Sequence, residues 1–255
     1  MRTQMIDVTT QDGVADAYLS QPDDGERHPA VLFIMDALGL RPQIELMADR
    51  IAARGFTVLA PNVFYRAGRA PLLPVPDLAD PAQRDAYFET IMPLIFGLTR
   101  DLVVRDGAAY LDVLEEASGS SPVAITGYCM GGRVGWRIAA AFPDRVAALG
   151  AFHTGGLVTE EDDSPHLSAG KLAAEVYLGH ADNDQSMTSA NIATIEHALE
   201  EAGVRHQSEL YEGSAHGYTM AETPMYGEAA AEHAFTELFA LLDRSVASPA
   251  ATSHA

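Results

Sequence analysis

The sequence predicts an α/β fold: a mostly parallel central sheet with helices on both faces and an antiparallel hairpin at its start. Three observations predict it. Short apolar segments alternate with segments of helical period along almost the whole chain. The inner strand candidates, such as Ala30-Val31-Leu32-Phe33-Ile34-Met35, are apolar on both faces, as a parallel strand covered by helices on each side must be. One strand, Val123-Ala124-Ile125-Thr126, runs straight into Gly127-Tyr128-Cys129-Met130-Gly131-Gly132 and then into a helix pattern, Arg133 to Ala141.

Taken in order, Ile6–Thr10 and Val14–Ser20 are β-prone runs joined by Gln11-Asp12-Gly13, a turn signal, which predicts a hairpin at a sheet edge. Asp36 ends the first central strand. Pro42 suits a first helical turn, and Ile44, Met47, Ala48 and Ile51 recur at helical spacing until Gly55. Phe56 to Ala60 is the next strand. The stretch from Tyr65 to Pro81 is irregular and proline-rich, and a connection that long is expected to flank a functional site. Helices follow over Ala82 to Phe96 and Arg100 to Ala117, broken by Ser118-Gly119-Ser120-Ser121-Pro122.

Beyond the glycine-flanked cysteine, Val146 to Phe152 and Ala174 to Leu178 read as strands on either side of an irregular segment, His153 to Ser168. Thr188 is a candidate N-cap for a helix through Ala202, Gln207 to Tyr211 is the last strand, and Tyr226 to Leu242 the last helix. Residues 1–244 are expected to form a single domain, with Ser245 to Ala255, small and polar, as a disordered tail. Strand–helix units joined by right-handed crossovers place a site at the carboxyl ends of the strands.

Sixteen basic against thirty-six acidic residues give a net charge of -20, which argues against nucleic acid or an anionic membrane surface as partner. The first residues lack the apolar core of a signal peptide, and no stretch reaches membrane-spanning length, so a cytoplasmic protein is expected. A single cysteine forbids an internal disulfide and leaves Cys129 chemically free.

The turn around Cys129 must be tight, because the residues two before and two after it nearly touch; Gly127 and Gly131 meet that need. A strand, a Gly-x-nucleophile-x-Gly turn and a helix form the nucleophile elbow of α/β-hydrolases, here with cysteine in place of serine. The helix would aim free N–H groups at the sulfur, which favours negative charge there. A glycine-flanked cysteine is equally a buried structural thiol, so the partners decide. The chain order in this fold is nucleophile, acid, histidine. His216, in the loop Glu212-Gly213-Ser214-Ala215-His216-Gly217-Tyr218 after the last strand, is the candidate base. The acid is read as Asp182, in Leu178-Gly179-His180-Ala181-Asp182-Asn183-Asp184, with Asp184 as its close rival and a capping role the alternative for both. A calcium loop is rejected because Met187 and Ala193 stand where its glycine and terminal glutamate belong. A zinc site from His153, His180 and His216 lacks any paired ligand motif.

Four segments together resemble the dienelactone hydrolase family: Ile34-Met35-Asp36-Ala37-Leu38-Gly39-Leu40, Ala60-Pro61-Asn62-Val63-Phe64-Tyr65, Gly127 to Gly132, and Gly213 to Tyr218. The resemblance covers Pro29 to Leu242 and implies an α/β-hydrolase fold, a Cys129–Asp182–His216 triad, an oxyanion hole from the N–H groups of Ala37 and Met130, and neither metal nor organic cofactor. It implies hydrolysis of lactones or small esters through an acyl-thioester; a broad carboxylesterase or thioesterase, or a non-catalytic ligand-binding member of the fold, are the alternatives. The implied substrate-contacting residues are Asp36, Tyr65, Arg66, His153 and Met220. Asp36 stands where the family's namesakes place a glutamate that partners the resting thiol. Arg66 matches one of the two arginines that grip a substrate carboxylate there, but Met220 stands at the second, which predicts a neutral or more hydrophobic acyl group or lactone ring. A monomer or homodimer acting on a small molecule is expected.

Overall fold

A computed structural model describes residues 1–246. The chain forms β1 (Arg2–Thr10), β2 (Gly13–Gln21), β3 (Ala30–Ile34), α1 (Pro42–Ala52), β4 (Thr57–Pro61), α2 (Pro81–Gly97), α3 (Arg100–Ser118), β5 (Val123–Tyr128), α4 (Met130–Ala141), β6 (Val146–Phe152), β7 (Glu175–Ala181), α5 (Ser189–Glu201), β8 (His206–Tyr211) and α6 (Glu228–Ser245), with a 3-10 helix at Pro165–Lys171. The eight strands make one sheet in the order β1-β2-β4-β3-β5-β6-β7-β8. β2 pairs antiparallel with β1 and β4, and all other pairs are parallel.

Every residue of β3, β4 and β5 is buried, which is why their sequences are mostly apolar, broken only by Thr57, Thr126 and the Tyr128 hydroxyl, rather than alternating. The helices end where local chemistry tells them to. Asp80, Thr99 and Thr188 cap α2, α3 and α5 by accepting a backbone N–H, and Gly119 closes α3 at φ 63°. The predicted boundaries hold to within a few residues, with two differences that matter. α4 begins at Met130, directly after Cys129, and Ser245 belongs to α6. The rest of the predicted tail, residues 247–255, lies outside the described residues.

Strand order also fixes where a ligand can sit. After β3 the chain turns to one side to add β4, then crosses back to add β5 on the other side. The loops following β3 and β5 therefore part at the carboxyl edge and leave a crevice, the place where open α/β sheets bind ligands. Ala37 follows β3 and Cys129 follows β5. No helix among the described residues is long and apolar enough to cross a membrane.

Candidate active site

Cys129 joins β5 to α4 at φ 54° and ψ -122°, a conformation that costs a non-glycine residue about 1–3 kcal/mol. Its N–H donates to the Phe152 carbonyl (3.1 Å), which pins the turn to the neighbouring strand β6. The turn is as crowded as the sequence requires. A Cβ on Gly127 would overlap the Gly131 backbone, one on Gly131 the Ile34 carbonyl, and one on Gly132 the Thr154 side chain. Cys129 is held partly exposed at the N-terminal end of α4.

The loop after β8 brings His216 to this sulfur, and both residues border the same two cavities. The acid that meets it is Asp184, which corrects the assignment of Asp182. Asp184 Oδ2 accepts from His216 Nδ1 at 2.6 Å, while its Oδ1 accepts from the Ser186 N–H (2.8 Å) and hydroxyl (2.6 Å). Asp182 instead accepts the Gly213 N–H (3.0 Å) and donates its own N–H to the Ser214 carbonyl (2.8 Å), tying the histidine loop to β7. The reason is a backbone reversal. Asn183 sits at φ 54°, in the left-handed region that Asn tolerates, and swings Asp184 under the imidazole.

Electrostatics follow from these contacts. Burial pulls the His216 imidazolium down, but the Cys129 sulfur and the Asp184 carboxylate outweigh it and raise its pKa to about 10. Burial pushes Asp184 up, yet His216 and Ser186 bring it down to about 2. The site thus favours a protonated histidine held between sulfur and carboxylate.

Ala37 lines both cavities, and Met130 the larger one. Neither N–H has a backbone acceptor among the described residues, so both are free to receive an oxyanion. The Tyr87 hydroxyl donates to the Ala37 carbonyl (3.2 Å), on the peptide that follows Ala37 and whose N–H, from Leu38, donates to Asp36.

The substrate-contacting set divides. Asp36 borders the smaller cavity and its carboxylate is engaged by Arg41: Arg41 Nη1 and Nη2 donate to its two oxygens at 2.5 and 3.0 Å, and the Leu38 N–H donates to Oδ1 at 3.1 Å. Burial pushes the Asp36 carboxyl up, while Asp36 and Glu222 hold Arg41 above its ordinary value against burial. The two-point contact to a guanidinium, which does not give up its proton, decides for ionisation. Sequence reasoning missed Arg41 and its second partner Glu222 (2.6 Å); the one signal was a charged residue wedged between Leu40 and Pro42.

Tyr65 and Arg66 are not at the site, which corrects both assignments. Arg66 donates to Asp106 and Asp12, and the Tyr65 hydroxyl bonds Thr10 and Asp106, so both clamp the β1–β2 hairpin to α3. Arg69 pairs with Asp7 on the surface. His153 and Met220 do line the smaller cavity. His153 is wholly buried with Nε2 on the Thr219 hydroxyl (2.7 Å), and burial holds it neutral, well below its ordinary pKa. The residues of the long Tyr65–Pro81 connection contribute only Leu78 to this cavity.

Two hollows meet at Ala37, Phe88, Cys129 and His216. The smaller, about 140 Å³, is walled by Leu38, Leu78, Met220 and Met225. The larger, about 640 Å³, runs between α2 and the segments after β6 and β7. A cysteine on a strained strand–helix turn, at the switch point of this sheet and beside an Asp–His pair, defines an α/β-hydrolase. The sequence profile of the dienelactone hydrolase family matches residues 15–246, and the chain belongs to that family. Its relatives include provisionally named carboxymethylenebutenolidases of Escherichia coli K12 (25% identical, 88% of this chain and 85% of the relative) and Yersinia pestis (26%, 82% and 76%). Among solved structures, a provisionally named dienelactone hydrolase of Klebsiella pneumoniae superposes with a TM-score of 0.83 at 20% identity, covering 95% of this chain and 98% of that one. A dienelactone hydrolase-like promiscuous phosphotriesterase from metagenomic libraries gives 0.76 at 22% identity, covering 96% and 98%. At these identities the superpositions speak for the fold.

Proposed function

We propose that this hydrolase cleaves lactones or small esters with Cys129 as nucleophile, His216 as proton carrier and Asp184 as the group that orients His216. The observation that carries the reading is the Asp184–His216 contact placed beside a cysteine at φ 54° on the elbow. Cys129 Sγ attacks the carbonyl carbon while His216 holds the thiol proton, and the N–H groups of Ala37 and Met130 receive the oxyanion. Collapse of the tetrahedral adduct breaks the ester C–O bond, and His216 gives its proton to the departing alcohol. A water then loses a proton to His216 and attacks the thioester; the C–S bond breaks, the acid leaves and the thiolate is restored beside the protonated His216. No metal or organic cofactor enters these steps.

The acyl half is neutral and small. Beyond Asp36, Cys129, the two histidines and Thr223, the 140 Å³ cavity is walled by apolar side chains; Arg41 is held by Asp36 and Glu222, and Arg66 and Arg69 are engaged elsewhere. A carboxylate placed there would meet no free cation. The test is a panel of neutral lactones and aryl esters with wild type and Cys129→Ala, read by turnover and by the mass of the quenched protein. An acyl adduct on wild type, absent from a folded Cys129→Ala that has lost turnover, is the expected result. Hydrolysis by Cys129→Ala above a few per cent of wild type would rule out Cys129 as nucleophile.

A further inference from the structure

The larger cleft contains a cation that the mechanism does not use. Arg133 lies in the first turn of α4, four residues after Cys129 and so about 6 Å further along the helix axis. In a chain this acidic, arginines such as Arg41, Arg50, Arg66, Arg137, Arg145 and Arg244 each hold a carboxylate. Arg133 has none within ion-pair distance among the described residues, although it is half-buried. Its Nε is buried without a partner. Nη2 reaches only the Ile95 carbonyl, at a long 3.4 Å, and that oxygen already accepts the Leu98 N–H. Most of the five guanidinium donors are therefore unspent. Gly156, with no side chain, lies beside Nη1, where a Cβ would come to 3.3 Å and crowd it. The nearby wall carries Ser186 and Asn191, whereas the α2 wall carries Met92 and Phe96.

We propose that the larger cleft is a carboxylate subsite: Arg133 binds an anionic group on the alcohol half of the ester, so that the preferred substrate joins a small neutral acyl group to a carboxylate-bearing leaving group. The inference rests on the hydrolase reading of Cys129. A planar guanidinium offers two parallel N–H bonds to a carboxylate, and partial enclosure strengthens them. The assignment to the alcohol half follows from order of events. The acyl group stays bonded to Cys129 after the first step and fits the small cavity, while the alcohol must leave at once and has the wider opening. Asp184 borders the cleft too, but its charge is balanced by His216.

Hydrolysis of 3-acetoxyphenylacetate is compared with that of 3-acetoxyphenylacetamide, which has the same shape without the charge. Wild type is expected to favour the carboxylate by about tenfold or more in kcat/KM, and Arg133→Gln to bring the ratio close to one, with Arg133→Lys between them because it keeps the charge and loses the fork. A purely structural arginine, bracing α2 through Ile95, would lower both rates and leave the ratio intact; that result, or a wild-type ratio near one, overturns the proposal. Arg133→Met, which keeps an apolar stem, serves if the glutamine variant does not fold. A second measurement separates this inference from the one beneath it. Calorimetric titration of 3-hydroxyphenylacetate into Cys129→Ala is expected to show binding weakened about tenfold by adding Arg133→Gln. Binding without ester turnover in wild type would sink the hydrolase reading and leave the subsite standing, and failure to bind would sink the subsite whatever the turnover.

Discussion

Replacing Asp184 with Asn removes one charge from a contact of 2.6 Å and leaves the shape almost unchanged. At that distance the attraction between the carboxylate and an imidazolium is about 1.6 kcal/mol in a water-like medium and about 6 kcal/mol at the effective dielectric of a protein surface. The His216 side chain is 34% exposed and Asp184 only 5%, so the true value falls between these limits. At 1.36 kcal/mol per decade, kcat/KM for a neutral aryl ester should fall about 10²- to 10³-fold. The amide also turns an N–H towards Nδ1 and favours the wrong tautomer, which pushes the loss to the upper end. Asp182→Asn should cost less than about threefold, because an amide oxygen can still accept the Gly213 N–H. Steady-state kinetics on both variants, with circular dichroism to confirm folding, decide it. Equal losses, or a larger loss at Asp182, would refute the assignment of Asp184.

Two further outcomes follow from the same geometry. Tyr87→Phe removes the bond to the Ala37 carbonyl and should lower kcat about three- to tenfold with little change in KM, since an oxyanion donor acts on the transition state; a change confined to KM would refute that role. His216 has its pKa raised from 6.5 to about 10 in the folded chain, so its contribution to stability is complete below pH 6.5 and lost as pH rises towards 10. The melting-temperature advantage of wild type over His216→Gln should therefore shrink across that window, and a constant gap would count against the charged resting histidine.

The features legible in the sequence are those set by neighbours along the chain. β3, β5 and β6 were readable because burial on both faces leaves mostly apolar residues, and the elbow because its tight turn admits only glycine two residues either side of Cys129. Thr188 and Gly119 announced helix ends because capping is a local bond. What escaped was set by contacts across the fold. Asp182 and Asp184 differ only in which side of Asn183 they lie on, and a single left-handed residue decides which one meets a histidine more than thirty residues away. Arg41 finds Glu222 181 positions later. Arg66 looked like a substrate clamp because its place in the loop matches the family, but the acidic hairpin tip and Asp106 take it instead.

The buried Asp36–Arg41 pair poses a question that stability alone does not answer. Removing one partner from such a pair costs about 3–5 kcal/mol, whereas replacing both with apolar groups of similar size is often neutral. With side chains only 7% and 3% exposed, Asp36 and Arg41 belong to that class, and Glu222, 29% exposed, can hydrate if Arg41 goes. The pair therefore has a geometric role. Asp36 Oδ1 accepts the Leu38 N–H and Tyr87 donates to the Ala37 carbonyl, so the carboxylate clamped by Arg41 holds the turn on which Ala37 sits. Arg41→Met alone should destabilise the fold strongly in urea, because it strands a buried charge. Asp36→Leu with Arg41→Met should regain most of that stability and still lose about tenfold or more in kcat, since an oxyanion donor out of place forfeits part of its roughly 3 kcal/mol. A double variant that regains both stability and kcat would show that the loop after β3 holds its shape without the pair.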